Sequence, residues 1–217
     1  MSRQPRLSLA FERASTKSAL IAVFVGLSLG TNYTLSGIPN VKFMDTFDFL
    51  ATYLFGLSIG LPVVILTRTI YALVNPWGSA SSWLIGLLVL GDSFYAWAGL
   101  LARRTRLVER NGKSVERSIS LGLVGLFSSL AFDLITNIGS GLFIVTGPSL
   151  QVYLGRAVIW GVITMNFPLP LGILHEVTDF LFFATLAPAA ISLLRRTAIL
   201  SDSTLSPRVY SERSDVT

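Results

Sequence analysis

An all-α, polytopic integral membrane protein with about six transmembrane helices is the fold class this sequence predicts. Three observations predict it. Of its 217 residues 52% are hydrophobic and only 13% are charged, against about 25% charged in an ordinary soluble domain. Mean hydropathy is +0.64, and apolar runs long enough to cross a hydrocarbon core of about 30 Å recur along the chain. Those runs are continuous, whereas a β-barrel would read as alternating segments of about 10 residues.

The chain has no cysteine, which removes disulfides and thiolate chemistry. A net charge of +5 would suggest nucleic acid in a soluble protein. Here the basic residues cluster in loops and tails, a pattern that records membrane orientation, so the expected surroundings are a lipid bilayer and no nucleic acid. Residues 1–17 carry Arg3, Arg6, Arg13 and Lys17 against Glu12 and read as a cytoplasmic basic tail. The basic start resembles a signal peptide, but no small-x-small cleavage signature follows and further spans do, so the first apolar stretch reads as a retained helix. That first span runs from about Ser18 to Leu35. Along it Ser18, Ala22, Gly26 and Gly30 recur every fourth residue, a stripe that serves either packing within the chain or docking of another subunit.

A polar knot follows, Gly37-Ile38-Pro39-Asn40-Val41-Lys42-Phe43-Met44-Asp45, in which Lys42 and Asp45 are spaced to pair with each other. Thr46 to Val74 is too long for one comfortable span and is interrupted by Gly56, Gly60 and Pro62. Between Arg103 and Arg117 lie six basic residues against Glu109 and Glu116, so that loop should be cytoplasmic like the N-terminal tail. An even number of crossings must then separate the two. Thr46 to Val74 is therefore expected to cross twice, as two short helices hinged near Gly56 to Pro62, with Trp83 to Ala102 as the next span. Broken segments of this kind are where membrane proteins place binding sites. Ser118 to about Val145 is a further span, and Leu171 to Leu194 is the last, closed by Arg195 and Arg196. Leu150 to Met165, with Arg156 inside and Asn166-Phe167-Pro168-Leu169-Pro170 after it, reads as a re-entrant or surface-lying helix. Residues 197–217 are polar and read as a disordered tail, leaving 18–196 as a single transmembrane domain.

Ionisable and amide side chains inside the spans are functional candidates by default. On helical spacing they form four faces: Arg68, Tyr71 and Asn75; Asp92 and Tyr95; Asp133 and Asn137; His175 and Asp179. Polar groups from four helices in an apolar setting are what a small-molecule pocket needs; the plainer reading is that Arg68 neutralises Asp92 or Asp133 and the amides tie helices together. Trp77, Trp83, Trp97 and Trp160 read as interfacial anchors, with Trp77 set apart by its place in the tight loop Asn75-Pro76-Trp77-Gly78. His175 is the only histidine, so no histidine-rich metal site exists; with Glu176 and Asp179 it could ligate an ion, but a hydrogen-bonding role is preferred, and neither metal nor cofactor is expected. Asn111-Gly112-Lys113-Ser114 resembles the end of a phosphate loop, yet Leu107 stands where the first glycine would be required. No other catalytic motif occurs, so no enzymatic activity is expected.

Several separated pieces resemble one family, the substrate-binding S component of energy-coupling factor (ECF) transporters. They are Leu29-Gly30-Thr31-Asn32-Tyr33, the stretch Pro39 to Asp45, Asn75-Pro76-Trp77-Gly78, Phe132-Asp133-Leu134-Ile135-Thr136-Asn137 and His175-Glu176-Val177-Thr178-Asp179. One departure is Asp179, where the family pattern H-x-x-[ST]-N has asparagine. The resemblance implies a six-helix membrane protein, and the charge bias puts both termini on the cytoplasmic side of the cell membrane. It would capture a vitamin or similar small organic micronutrient and join a membrane scaffold subunit and two ATPase subunits. Family members of one group dock through small residues of the first helix, which matches the Ser18, Ala22, Gly26, Gly30 stripe. The substrate-binding residues so expected are Asn32, Tyr33, Asn40, Arg68, Tyr71, Asn75, Trp77, Asp92, Asp133, Asn137, His175 and Asp179. Nickel and cobalt members begin Met-His, whereas this chain begins Met1-Ser2-Arg3. Asp92, Asp133, Glu176 and Asp179 outnumber Arg68 and Arg156, so the expected ligand is cationic or a multi-donor heterocycle. The reading from another class is a membrane scaffold or helper whose buried polar groups only hold helices together.

Overall fold

The structure is a computed structural model that describes residues 14–110, 114–165 and 171–196. Most of the basic N-terminal tail, the phosphate-loop-like Asn111 to Lys113, the segment Asn166 to Pro170 and the C-terminal tail lie outside the described residues, as do the side chains of Arg195 and Arg196. Every element among the described residues is helical. In chain order they are α1 (Ala14–Thr34), α2 (Met44–Phe55), α3 (Leu57–Leu73), α4 (Ser82–Arg104), the single turn α5 (Leu107–Arg110), α6 (Ser114–Ile144), α7 (Leu150–Met165), a 3-10 turn (Leu171–Ile173) and α8 (Leu174–Arg196). Four helices, α1, α4, α6 and α8, are long and apolar enough to cross a membrane.

Within Thr46 to Val74 the helix breaks at Gly56, while Gly60 and Pro62 sit inside α3. Gly56 has φ +84°, a backbone state that costs little only for glycine. Its N–H bonds Thr52 O at 2.8 Å and closes α2, and its carbonyl accepts from Ile59 and Gly60 to open α3. One residue thus reverses the chain.

The core is built around α2, which touches α1, α3, α4 and α8. Only Phe47 and Phe55 of its twelve residues are less than buried. Phe49, Tyr53 and Leu54 meet Tyr95 of α4 and Phe183, Ala187 and Ile191 of α8 in one cluster. Such enclosure requires close backbone approach, and glycine supplies it: a Cβ added at Gly99 would stand 2.5 Å from the carbonyl oxygen of Phe49. Gly99→Ala is therefore expected to destabilise the protein by about 1–3 kcal/mol, read as a lowered melting temperature in detergent; an unchanged value would mean that the α2–α4 contact is looser than described.

Paired contacts give each helix a direction. Asn32 meets Met44 and Phe24 meets Phe55, so α2 runs antiparallel to α1. α3 returns beside α2, and α4 runs parallel to α2, with Leu54 near Arg103. α6 is antiparallel to α4, through Trp83–Phe143 and Gly91–Phe132. α7 and α8 both run against α6: α7 lies beside Ile138 and Gly141, and α8 lies beside Gly122, Gly125 and Asp133. They follow one another along the same neighbour, so α7 does not fold back on α8.

α1 packs inward through Phe24, Ser28 and Asn32. Ser18, Ala22, Gly26 and Gly30 are all exposed, and nothing lies within 4 Å of a Cβ added at Gly26 or Gly30. The stripe takes no part in packing within the described residues.

Candidate ligand cavity and buried ion-pair network

Two cavities open at the end of the bundle where α1 leads into α2 and α3 into α4. The larger has a volume of about 650 Å³ and is lined by Asn32, Asn40, Lys42, Arg68, Tyr71, Asn75 and Trp77 together with apolar residues of the same segments. The smaller, of about 290 Å³, is lined by Asp133, Thr136, Asn137 and Ser140 of α6, Thr164 of α7, Phe132 and His175. Asn40, Lys42, Leu84 and Leu88 belong to both walls, so the polar knot is the partition between them.

Local chemistry explains the mouth. Asn40 has φ +63°, a left-handed state that asparagine tolerates better than most residues, and this turns the knot over the cavity. The Trp77 indole N–H donates to Ser36 O at 3.1 Å, and its backbone N–H donates to Asn75 Oδ1 at 2.8 Å. Tyr33 OH donates to Val74 O at 3.2 Å. The loop after α3 is thereby tied to the loop after α1. Trp77 is 71% exposed, an aromatic plate at the rim.

Below the cavities lies a buried network of charges. Arg68 chelates Asp92 with Nε and Nη2 and reaches Asp45 Oδ1 at 3.1 Å. His175 sits between two carboxylates, with Nδ1 3.0 Å from Asp133 Oδ2 and Nε2 3.1 Å from Asp45 Oδ2. Tyr95 OH donates to Asp179 Oδ2 at 2.6 Å. Asp45, Asp48, Arg68, Asp92 and Asp179 are buried almost completely. Desolvated charges persist only when paired and hydrogen-bonded, yet both carboxylate oxygens of Asp48 and Oδ1 of Asp179 have no hydrogen-bond partner.

The sequence-derived residues therefore divide. Asn32, Asn40, Arg68, Tyr71, Asn75 and Trp77 come together on the larger cavity, and Asp133, Asn137 and His175 on the smaller. Tyr33 lies behind the wall, 5.5 Å from the ring of Tyr71. Asp92 and Asp179 are directed into the network and line neither cavity. Three readings are corrected. Lys42 does not pair with Asp45, because α2 starts at Met44 and turns Asp45 inward to Arg68 and His175. Arg156 lies outside the site, exposed and donating to Thr146 O at 2.6 Å. Of the acids counted in the expected acidic excess, Asp133 alone lines one of these two cavities, the smaller, while Asp92, Glu176 and Asp179 line neither; the charged lining of the larger cavity is Lys42 and Arg68.

Sequence reasoning missed Lys42, Asp45 and Asp48 as site residues. Their signal was available, since Asp45 and Asp48 stand at i and i+3 at the start of an apolar run, where acids are costly. Compared with models of known families, with curated proteins and with solved structures, the chain matches none.

Proposed function

We propose that this chain is the membrane-embedded substrate-capture subunit of an ECF-type ATP-driven importer for a vitamin or similar small organic micronutrient. The observation that carries the reading is the larger cavity. Its volume of about 650 Å³ falls in the range of about 300–1,000 Å³ that holds small organic ligands, and six residues chosen from sequence meet on its wall. The apolar body of the cavity, with Tyr71 and Trp77, suits a flat or apolar part of a ligand, and Lys42 with Arg68 suits an acceptor or anionic group rather than a cation.

On this reading six segments cross the membrane, α1, α2, α3, α4, α6 and α8, in alternating directions, with α7 an outer extension in line with α8. α2 and α3 form the short pair hinged at Gly56. Both termini lie on the same side as the basic loop 103–117, the cytoplasm, in the cell membrane. The protein binds and does not catalyse; a scaffold subunit and two ATPases supply the energy, and the exposed Ser18, Ala22, Gly26, Gly30 stripe is where the scaffold docks.

Mass spectrometry of small molecules released from gently purified protein tests the capture reading. One organic compound, present near one per chain and able to raise the melting temperature when added back, is the expected result. No retained compound and no stabilisation by any candidate would favour the ligand-free helper. Docking is tested separately by Gly26→Leu with Gly30→Leu, which fills open space on α1. Loss of co-purification with scaffold and ATPases, with ligand binding and melting temperature unchanged, is expected; retained co-purification would move the docking face elsewhere.

A further inference from the structure

We propose that Asp45, His175 and Asp179 form a binding site for one divalent first-row transition-metal ion in the wall beneath the smaller cavity. Their donor atoms, one from each residue, all lie within 4.8 Å of one another. Asp45 Oδ2 is 3.1 Å and Asp179 Oδ2 3.7 Å from His175 Nε2. Tetrahedral nitrogen and oxygen donors at about 2.0–2.2 Å from an ion stand about 3.4 Å from one another, and the two separations bracket that value. His175 and Asp179, at i and i+4, present their donors from one face of α8, and Asp45 supplies the third from the first turn of α2.

Each donor is held from behind, as metal ligands are. Nδ1 of His175 faces Asp133 Oδ2 at 3.0 Å, and Nε2 is the atom directed at Asp45 and Asp179. Arg68 holds Oδ1 of Asp45 and leaves Oδ2 toward the histidine. Tyr95 orients Asp179, whose Oδ1 is buried without a hydrogen-bond partner and gives that carboxylate a second oxygen to offer.

Charge points the same way. Asp45, Asp48, Asp92 and Asp179 are buried with Arg68 as their one permanently charged buried partner among the described residues, and such an excess is stable only if something neutralises it. A dication bound to His175 Nε2 and the two carboxylates supplies that charge. A second acidic trio, Asp45, Asp48 and Asp92, is a poor alternative, because Arg68 already chelates Asp92 there. One imidazole with carboxylates suits zinc, cobalt, manganese or iron(II) better than magnesium or calcium, which take all-oxygen shells. His175 and Asp133 border the smaller cavity, which connects the site to it.

The test uses tag-free, full-length protein in detergent, stripped with EDTA and titrated with Co²⁺, followed by visible absorption and X-ray absorption. One equivalent per chain is expected, with the intense visible band of four- or five-coordinate cobalt and imidazole scattering in its shell. Folded His175→Asn and Asp179→Asn should each lose the band, Asp133→Asn should weaken affinity by about 10–100-fold, and Trp77→Ala should leave it unchanged. Absence of stoichiometric binding to the wild type, a shell without imidazole, or full binding by folded His175→Asn would each overturn the site. Where a variant does not fold, the wild-type shell decides. The metal titration needs no organic ligand, so its failure and that of the capture reading are separately visible.

Discussion

Arg68→Met should cost the fold about 3–5 kcal/mol, because the substitution removes the guanidinium and leaves Asp92 and Asp45 buried without it. Arg68 is 2% exposed and both partners are fully buried, so water cannot replace the lost hydrogen bonds. The expected result is a sharp fall in melting temperature in detergent, or loss of monodisperse protein altogether. Adding Asp92→Asn to Arg68→Met should recover part of the loss, since it removes the carboxylate left uncompensated. A single variant as stable as the wild type would show that the network contributes nothing to folding.

Lys42→Ala should behave in the opposite way. Lys42 is half-buried, borders both cavities and makes no ion pair with a carboxylate among the described residues; its ammonium lies 5.1 Å from the centre of the Phe132 ring. Truncating it leaves no buried partner stranded, so the melting temperature should hardly move. On the capture reading, ligand binding should weaken by about 10–100-fold, the worth of a charge-assisted hydrogen bond of about 1.5–3 kcal/mol. Isothermal titration with the compound identified by mass spectrometry checks it, and unchanged affinity would remove Lys42 from the site.

Helix type and the outer elements were legible because they depend on long apolar runs, and those run through α1, α4, α6 and α8. The break at Gly56 was legible as a glycine in an overlong span, though its position among Gly56, Gly60 and Pro62 was not: a helix tolerates Pro62 near its start, whereas only φ +84° at Gly56 turns the chain. Larger errors came from direction. Spacing told that Asp92 and Tyr95 share a face, and the plainer reading that Arg68 neutralises Asp92 holds, but spacing did not tell that Tyr95 meets Asp179 instead of a cavity. Lys42 and Asp45 are close in sequence, yet the start of α2 between them sends one to the cavity and the other to the core. Such choices are made by packing partners distant in the chain, which local spacing does not encode.

The shortness of α2 bears on how the protein is made. Twelve residues rise about 18 Å, well short of a bilayer core of about 30 Å, and the buried Asp45 and Asp48 are costly to place in an apolar setting until they are paired. α3 brings Arg68 with a similar cost. The principal partner of Arg68, Asp92, is translated later, in α4. On the capture reading, the buried charges of α2 and α3 are thus fully paired only once α4 has supplied Asp92 to Arg68.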